Sequence, residues 1–164
     1  MKTETMIILG IGAAALIAWG GNAVIDLSNA SENEKQFAPV IVRAELDHGI
    51  PAGLLHRLIR QESAFRTDII TGRKRSSAGA LGIAQFMPAT AREELGSVEA
   101  ALDPYQAITG AARYLKKLKN ATGSWEKAVA SYNWGIGNVT RKGLAAAPKE
   151  TRDYVRKVYG SAIA

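Results

Sequence analysis

The sequence predicts a mainly α-helical fold, and three observations carry that prediction. Apolar residues recur at helical spacing in successive segments from about position 38 onward. Prolines and glycines stand near the edges of these segments, where helices start and stop. No stretch alternates apolar and polar residues convincingly enough for a half-buried strand, and no internal repeat is visible. The chain has 164 residues, enough for one domain and an appendage. The expected division is an apolar N-terminal segment over 1–25, a polar linker over 26–37, and a helical domain with a cleft over 38–164.

The first segment runs without a charge from Thr5 to Ile25, between Glu4 and Asp26. That is the length a bilayer core requires, and Trp19 lies near its far end, where interfacial aromatics sit. The expectation is an apolar, transmembrane-like helix over residues 6–25, with a cleaved signal as the alternative. Gly10-Ile11-Gly12-Ala13-Ala14-Ala15 imitates a dinucleotide fingerprint. No second strand ending in an acid follows it, so no cofactor is expected.

Residues 26–36 are polar and read as a linker, in part helical. From Pro39 to Asp47, Val40, Ile41, Ala44 and Leu46 suggest a helix stopped by Gly49. Pro51 suits the opening of the next helix, on which Leu54, Leu55, Leu58 and Ile59 line one face. Glu62 follows Leu58 by four residues and Ile59 by three, so it shares that face. Residues 67–80 read as a loop rich in Gly, Ser and Arg. Pro88 to Leu95 is a short helix ended near Gly96. Asp103-Pro104 starts a longer one, with Ala107, Ile108, Ala111, Ala112, Leu115 and Leu118 inward. Ser124 caps a helix from Trp125 to Tyr132, broken by Gly135 and Gly137, and Pro148 precedes the last helix.

Twenty-one basic against 15 acidic residues give a net charge of +6, which favours anionic partners. The absence of cysteine removes disulfides and thiolate metal sites. His48 and His56 have no metal-ligand spacing and are expected on helix surfaces, so no metal is expected. Arg73-Lys74-Arg75 is a basic cluster without interleaved aromatics, and nucleic acid is therefore not expected as a partner.

The chemistry concentrates in four clusters in a fixed order. Arg60-Gln61-Glu62-Ser63 ends an apolar helix. Gly82-Ile83-Ala84-Gln85 follows about twenty residues later, then Ala130-Ser131-Tyr132-Asn133, and finally Glu150-Thr151-Arg152-Asp153-Tyr154-Val155. A glutamate amid apolar neighbours near a helix C-terminus is disfavoured as an anion, which suits a proton donor. Over roughly residues 51–155 this pattern resembles the lytic transglycosylases of glycoside hydrolase family 23, with the soluble-lytic-transglycosylase (SLT) fold.

The resemblance implies a lysozyme-like, goose-type helical domain that cleaves the β-1,4 bond between N-acetylmuramic acid and N-acetylglucosamine in peptidoglycan. One glutamate, here Glu62, acts as acid and then as base, and a 1,6-anhydro sugar forms without water. The second carboxylate of most glycosidases is then not required. Asp68 is the candidate for that role if the enzyme is instead a lysozyme-type hydrolase. By the same resemblance, Ser63 positions the acid or the N-acetyl group. Gln85 bonds sugar hydroxyls, and Ser77 shapes the loop before it. Tyr132 and Asn133 contact substrate, Asn133 having donor and acceptor for an acetamide. Tyr154 orients Glu62.

The sequence departs from the family pattern at Ala84, where a large residue is usual, and at Ser131, which replaces alanine. Trp134 stands where a small residue is usual. The basic loop at 73–75 is longer than usual and is placed to meet stem-peptide carboxylates. The setting implied is the wall side of a membrane, by way of a phage particle or a secretion or conjugation machine. A non-catalytic wall-binding assembly protein is the reading from a different class.

Overall fold

The computed structural model describes the backbone of residues 7–11, 14–19 and 23–160, and side chains from residue 25 onward. Its main body is helical, as the periodicity predicts. The N-terminal expectation is corrected. In place of an apolar helix, Ile7–Ile11 (β1), Ala14–Trp19 (β2) and Ala23–Asp26 (β3) form an antiparallel sheet in the order β1-β2-β3. Ile11 pairs with Ala14, Ile7 with Ala18, and Trp19 with Ala23. The physical reason lies in composition: isoleucine, valine and tryptophan favour the pleated state, and the run is interrupted by Gly10, Gly12, Gly20 and Gly21, each unfavourable inside a helix. No helix among the described residues is long and apolar enough to cross a membrane. Of the span 6–25 expected to cross it, residues 6, 12–13 and 20–22 lie outside the described residues, as do residues 1–5 before it.

The helix α1 (Glu32–His48) begins inside the stretch read as linker. Ser31 caps it by accepting from the Glu34 N–H, and Gly49 closes it in the left-handed conformation. Its buried residues include Phe37, Ile41 and Ala44. Ile25 of β3 and Leu27, just beyond it, pack with Ala38 and Val42 in a small second cluster that ties the strands to α1.

The next helix, α2 (Leu54–Ser63), starts three residues later than Pro51 suggests. The cause is Glu45, fully buried on α1. Its carboxylate accepts from the N–H groups of Gly53 (2.8 Å), Leu55 (2.7 Å) and His56 (3.1 Å), and so sets where the helix begins. Burial pushes the Glu45 carboxyl up to about 7, against the pull of those three N–H groups. Leu54, Leu55, Leu58 and Ile59 are fully buried, each contributing about 1.5–3 kcal/mol. His56 is not on the surface as expected. It is 6% exposed, its Nε2 2.8 Å from a Glu34 carboxylate oxygen that also pairs with Arg60. Burial lowers the pKa of His56.

A short helix α3 (Thr67–Ile70) interrupts the predicted loop. Then come α4 (Pro88–Leu95), α5 (Pro104–Thr122), α6 (Trp125–Trp134), α7 (Ile136–Lys142) and α8 (Lys149–Tyr159). Asp103 caps α5 and Ser124 caps α6, as their positions predict. Gly135, at φ 88°, separates α6 from α7, whereas Gly137 lies inside α7 rather than breaking a helix. α5 packs on α1 and α6, and α8 packs on α6 and α2. The small residues Ala107, Gly110, Ala111 and Ala112 are all buried on α5, which lets its neighbours approach closely. This arrangement brings the ends of α2, α6 and α8 to one side.

Candidate active site

Glu62 lies in the last turn of α2. The chain leaves that helix through Ala64 and Phe65, both non-glycine residues at positive φ (48° and 55°). Such a conformation costs of order 1–3 kcal/mol per residue and is held by its surroundings, here the burial of Phe65. The Glu62 side chain is half-buried, with its open side on a cleft. Tyr154 of α8 donates its hydroxyl to Glu62 Oε1. Burial pushes the carboxyl up to about 7, and the Tyr154 bond, which favours the anion, offsets part of that rise. Tyr154 is itself buried, and burial together with the neighbouring Glu62 charge pushes its phenol well above the ordinary value. It therefore remains a hydrogen-bond donor across the working pH range.

The cleft consists of three adjoining depressions of about 250, 350 and 320 Å³. The first is aromatic, lined by Phe86, Tyr114, Tyr132 and Trp134. Tyr114 and Tyr132 lie 5.6 Å apart between ring centroids, and Phe86 lies 6.2 Å from Tyr132. The second is polar, lined by Gln61, Glu62, Glu150, Asp153 and Lys157 among others. The third lies between them and holds Glu62, Ser77, Gln85, Tyr132, Asn133 and Glu150. Asn133 lines all three.

Tyr132 donates to the Ala84 carbonyl at 2.9 Å, which joins α6 to the turn that carries Gln85. That turn is a tight reversal in which Leu81 and Phe86 exchange both backbone hydrogen bonds at 3.0 Å. Gly82 makes it possible. At φ 71° it is left-handed, and a Cβ there would lie 1.8 Å from the Ala101 carbonyl oxygen. Gln85, at φ 49°, presents its side chain to the cleft, and its Nε2 donates to the Gly82 carbonyl at 2.9 Å. Ala84, where a large residue is usual, is fully buried beneath this turn.

Of the residues singled out in the sequence, Glu62, Ser77, Gln85, Tyr132, Asn133 and Tyr154 all line the cleft. Ser63 does not. It is 1% exposed, its hydroxyl donates to Ile59 O and accepts from Phe65 N–H, and it closes the end of α2. Asp68 is not among the cleft-lining residues either. It pairs with Arg66 at 2.7 Å, and that guanidinium holds its carboxyl below the usual carboxylate range. Arg73, Lys74 and Arg75 are exposed beside Ser76 and Ser77.

Met87, Tyr114 and Glu150 line the cleft without having been read as site residues from the sequence, and Thr151, buried behind it, was missed as a partner of Asn133. Tyr114 continues the Ala107–Ala111–Leu118 stripe at spacings of four, three and four, so helical period alone points it inward. Thr151 precedes Tyr154 by three and shares its face of α8. It donates to Asn133 Oδ1 at 2.8 Å. No cluster of three or more potential metal ligands occurs among the described residues.

Fold and site together define a helical cleft domain built around a carboxylic acid that burial raises to about 7, so that a large share of it still carries its proton near neutral pH. The chain belongs to the Transglycosylase SLT domain family, which it matches over residues 39–155. It is also similar to a solved structure, that of an inactive glutamate-to-glutamine mutant of the lytic transglycosylase Slt from Pseudomonas aeruginosa. The two are 28% identical with a TM-score of 0.61, over 74% of this chain and 22% of the Pseudomonas chain. The present chain thus corresponds to a small part of that protein.

Proposed function

We propose that this protein is a peptidoglycan lytic transglycosylase with Glu62 as its single acid and base. The observation that carries the reading is the Glu62 carboxyl on the cleft, raised to about 7 by burial and fixed by Tyr154. A neutral carboxylic acid at that place protonates the glycosidic oxygen as the bond to the muramic acid C1 breaks. The resulting carboxylate then takes the proton from the O6 hydroxyl of the same sugar, and O6 bonds to C1. Glu62 is thereby reprotonated, the product is 1,6-anhydro-muramic acid, and no water is consumed. Tyr154 holds the carboxyl in both protonation states, because its phenol remains a donor throughout. The aromatic depression supplies a face for a neighbouring sugar ring.

A second reading rests on Glu150, which lines both depressions that Glu62 lines. As an exposed carboxylate across the same space, it would activate water and make the enzyme a hydrolase. Asp68, the alternative expected from sequence, is engaged with Arg66 and does not support that role.

The setting we propose is the cell wall, with residues 38–164 as the catalytic unit facing it. The protein would belong to a phage particle or to a secretion or conjugation machine. Residues 1–25 would serve as attachment to membrane or machine, joined through residues 26–37, whose later part is the first turn of α1. The net charge of +6 and the exposed cations at 73–75 support a polyanionic wall as partner. The test is release of soluble fragments from purified sacculi by the full chain and by Glu62→Gln. Release that survives the substitution would contradict the assignment. Binding to sacculi without any release would point to the non-catalytic assembly role.

A further inference from the structure

The left-handed pair Ala64 and Phe65 ends α2 directly after Glu62 and Ser63, and its backbone must be held there. Part of the hold is internal. The Phe65 N–H donates to Ser63 Oγ at 3.3 Å, and the Ala64 N–H donates to the Arg60 carbonyl at 2.9 Å. The rest comes from the first turn of α1. Asn33 donates through Nδ2 to the Phe65 carbonyl at 2.9 Å and to Thr67 Oγ1 at 2.9 Å. An amide nitrogen carries two hydrogens, and both are spent on this exit turn. The next residue, Glu34, is 5% exposed and accepts from Arg60 Nε at 3.1 Å, with His56 Nε2 2.8 Å away. Both partners stand on α2, so Glu34 fixes the first turn of α1 against the helix that carries Glu62, and with it the place of the Asn33 amide. The His56 ring in turn lies 5.7 Å from the Phe65 ring between centroids.

Asn33 and Glu34 precede residues 39–155, the part of the chain that matches the family. The stretch read as a linker thus contributes to the scaffold of the site. We propose that Asn33 is a positioning residue for Glu62: by holding the Phe65 carbonyl it pins the left-handed exit turn and keeps the last turn of α2 closed around the carboxyl. Without that bond the pair would relax toward the right-handed region that residues with a Cβ prefer. The end of α2 would loosen, and water would reach the carboxyl. Asn33 is not among the residues that line the three depressions, so it acts through the turn alone. The proposal rests on the reading of Glu62 as the acid and deepens it.

The experiment uses the full chain with Asn33→Ala and, separately, Asn33→Leu. Neither adds a charge, alanine favours the helix, and leucine keeps the bulk. Thr67→Val is the control, because it leaves the Phe65 contact in place. The titratable and charged groups that share the cleft with Glu62, namely Tyr132 of α6 and Glu150, Asp153, Tyr154 and Lys157 of α8, are the same in all three. Fragment release from sacculi is followed against sacculus concentration and pH. In both Asn33 variants the maximal rate should fall about three- to tenfold, the population shift one hydrogen bond can cause, with the half-saturating concentration unchanged. The alkaline limb should move down by roughly half to one pH unit as the carboxyl gains water. Thr67→Val should behave as the parent. The stability gained on Glu62→Gln at alkaline pH reads the same carboxyl without turnover, and it should be smaller in the Asn33→Ala background. A slower rate with the limb in place and the stability gain unchanged would mean a merely structural role and would overturn the proposal. So would a limb that moves up, or a Thr67→Val profile equal to that of Asn33→Ala. No release by the native protein would overturn the glycan reading, and the stability comparison would still decide the role of Asn33.

Discussion

Glu62→Gln should make this protein more stable at neutral and alkaline pH, and the gain should vanish in acid. Burial raises the Glu62 carboxyl from 4.5 to about 7 in the folded chain. Between those values the folded state holds a proton that the unfolded state releases. The contribution of the group is therefore fully present below about 4.5 and is lost as pH rises through about 7. At about 1.4 kcal/mol per pH unit, that interval amounts to about 3 kcal/mol of native-state destabilisation at pH 8. Glutamine is neutral throughout, has nearly the same shape, and offers Tyr154 the same acceptor. Glu45, also raised to about 7, adds a slope of the same sign to both proteins and cancels in the comparison. Urea denaturation of parent and variant at matched pH values measures the difference. It should be near zero at about pH 4 and approach 3 kcal/mol in favour of the variant at about pH 8, or roughly 10 °C in Tm. A difference that does not change with pH, or a variant less stable at pH 8, would refute the claim that the carboxyl is held neutral by its surroundings.

Tyr154→Phe removes a bond that favours the Glu62 anion, so the alkaline limb of the pH–rate profile should move up by roughly one pH unit, with kcat lower because the carboxyl is no longer held. A limb that stays in place or moves down would exclude the contact. Gly82→Ala sets a left-handed alanine against the Ala101 carbonyl and should cost roughly 3 kcal/mol in urea denaturation, with activity falling as the Gln85 turn distorts. A loss below about 1 kcal/mol would show that the turn yields easily. Glu45→Ala leaves three buried N–H groups at the start of α2 without their acceptor and should destabilise by about 3 kcal/mol, whereas Glu45→Gln, which keeps one acceptor oxygen, should lose less.

The helical body was legible because its signals are local. Ser124 and Asp103 cap their helices through their own neighbours, and the α5 stripe repeats at a period only a helix satisfies. The N-terminal strands were not legible in the same way. A run of Ile, Leu, Ala and Gly has no period that separates a membrane helix from hairpins, and length alone favoured the helix. In the site, Glu62, Gln85, Tyr132, Asn133 and Tyr154 were visible as clusters, yet their contacts are long-range. Tyr154 reaches Glu62 across 92 residues, and Tyr132 reaches Ala84 across 48. Thr151 and Glu150 acquire their places only when α8 docks against α6 and α2. Ser63 shows the converse, since adjacency to Glu62 in sequence puts it one helical step away, inside the core.

The central claim, one carboxyl serving as acid and base without water, is tested most directly by digesting sacculi in heavy-oxygen water and weighing the released muropeptides. Unlabelled 1,6-anhydro-muramic ends, absent when Glu62 is glutamine, are the predicted result. Labelled reducing muramic ends would show that water attacks, would contradict the single-carboxyl account, and would make Glu150 the base to substitute next.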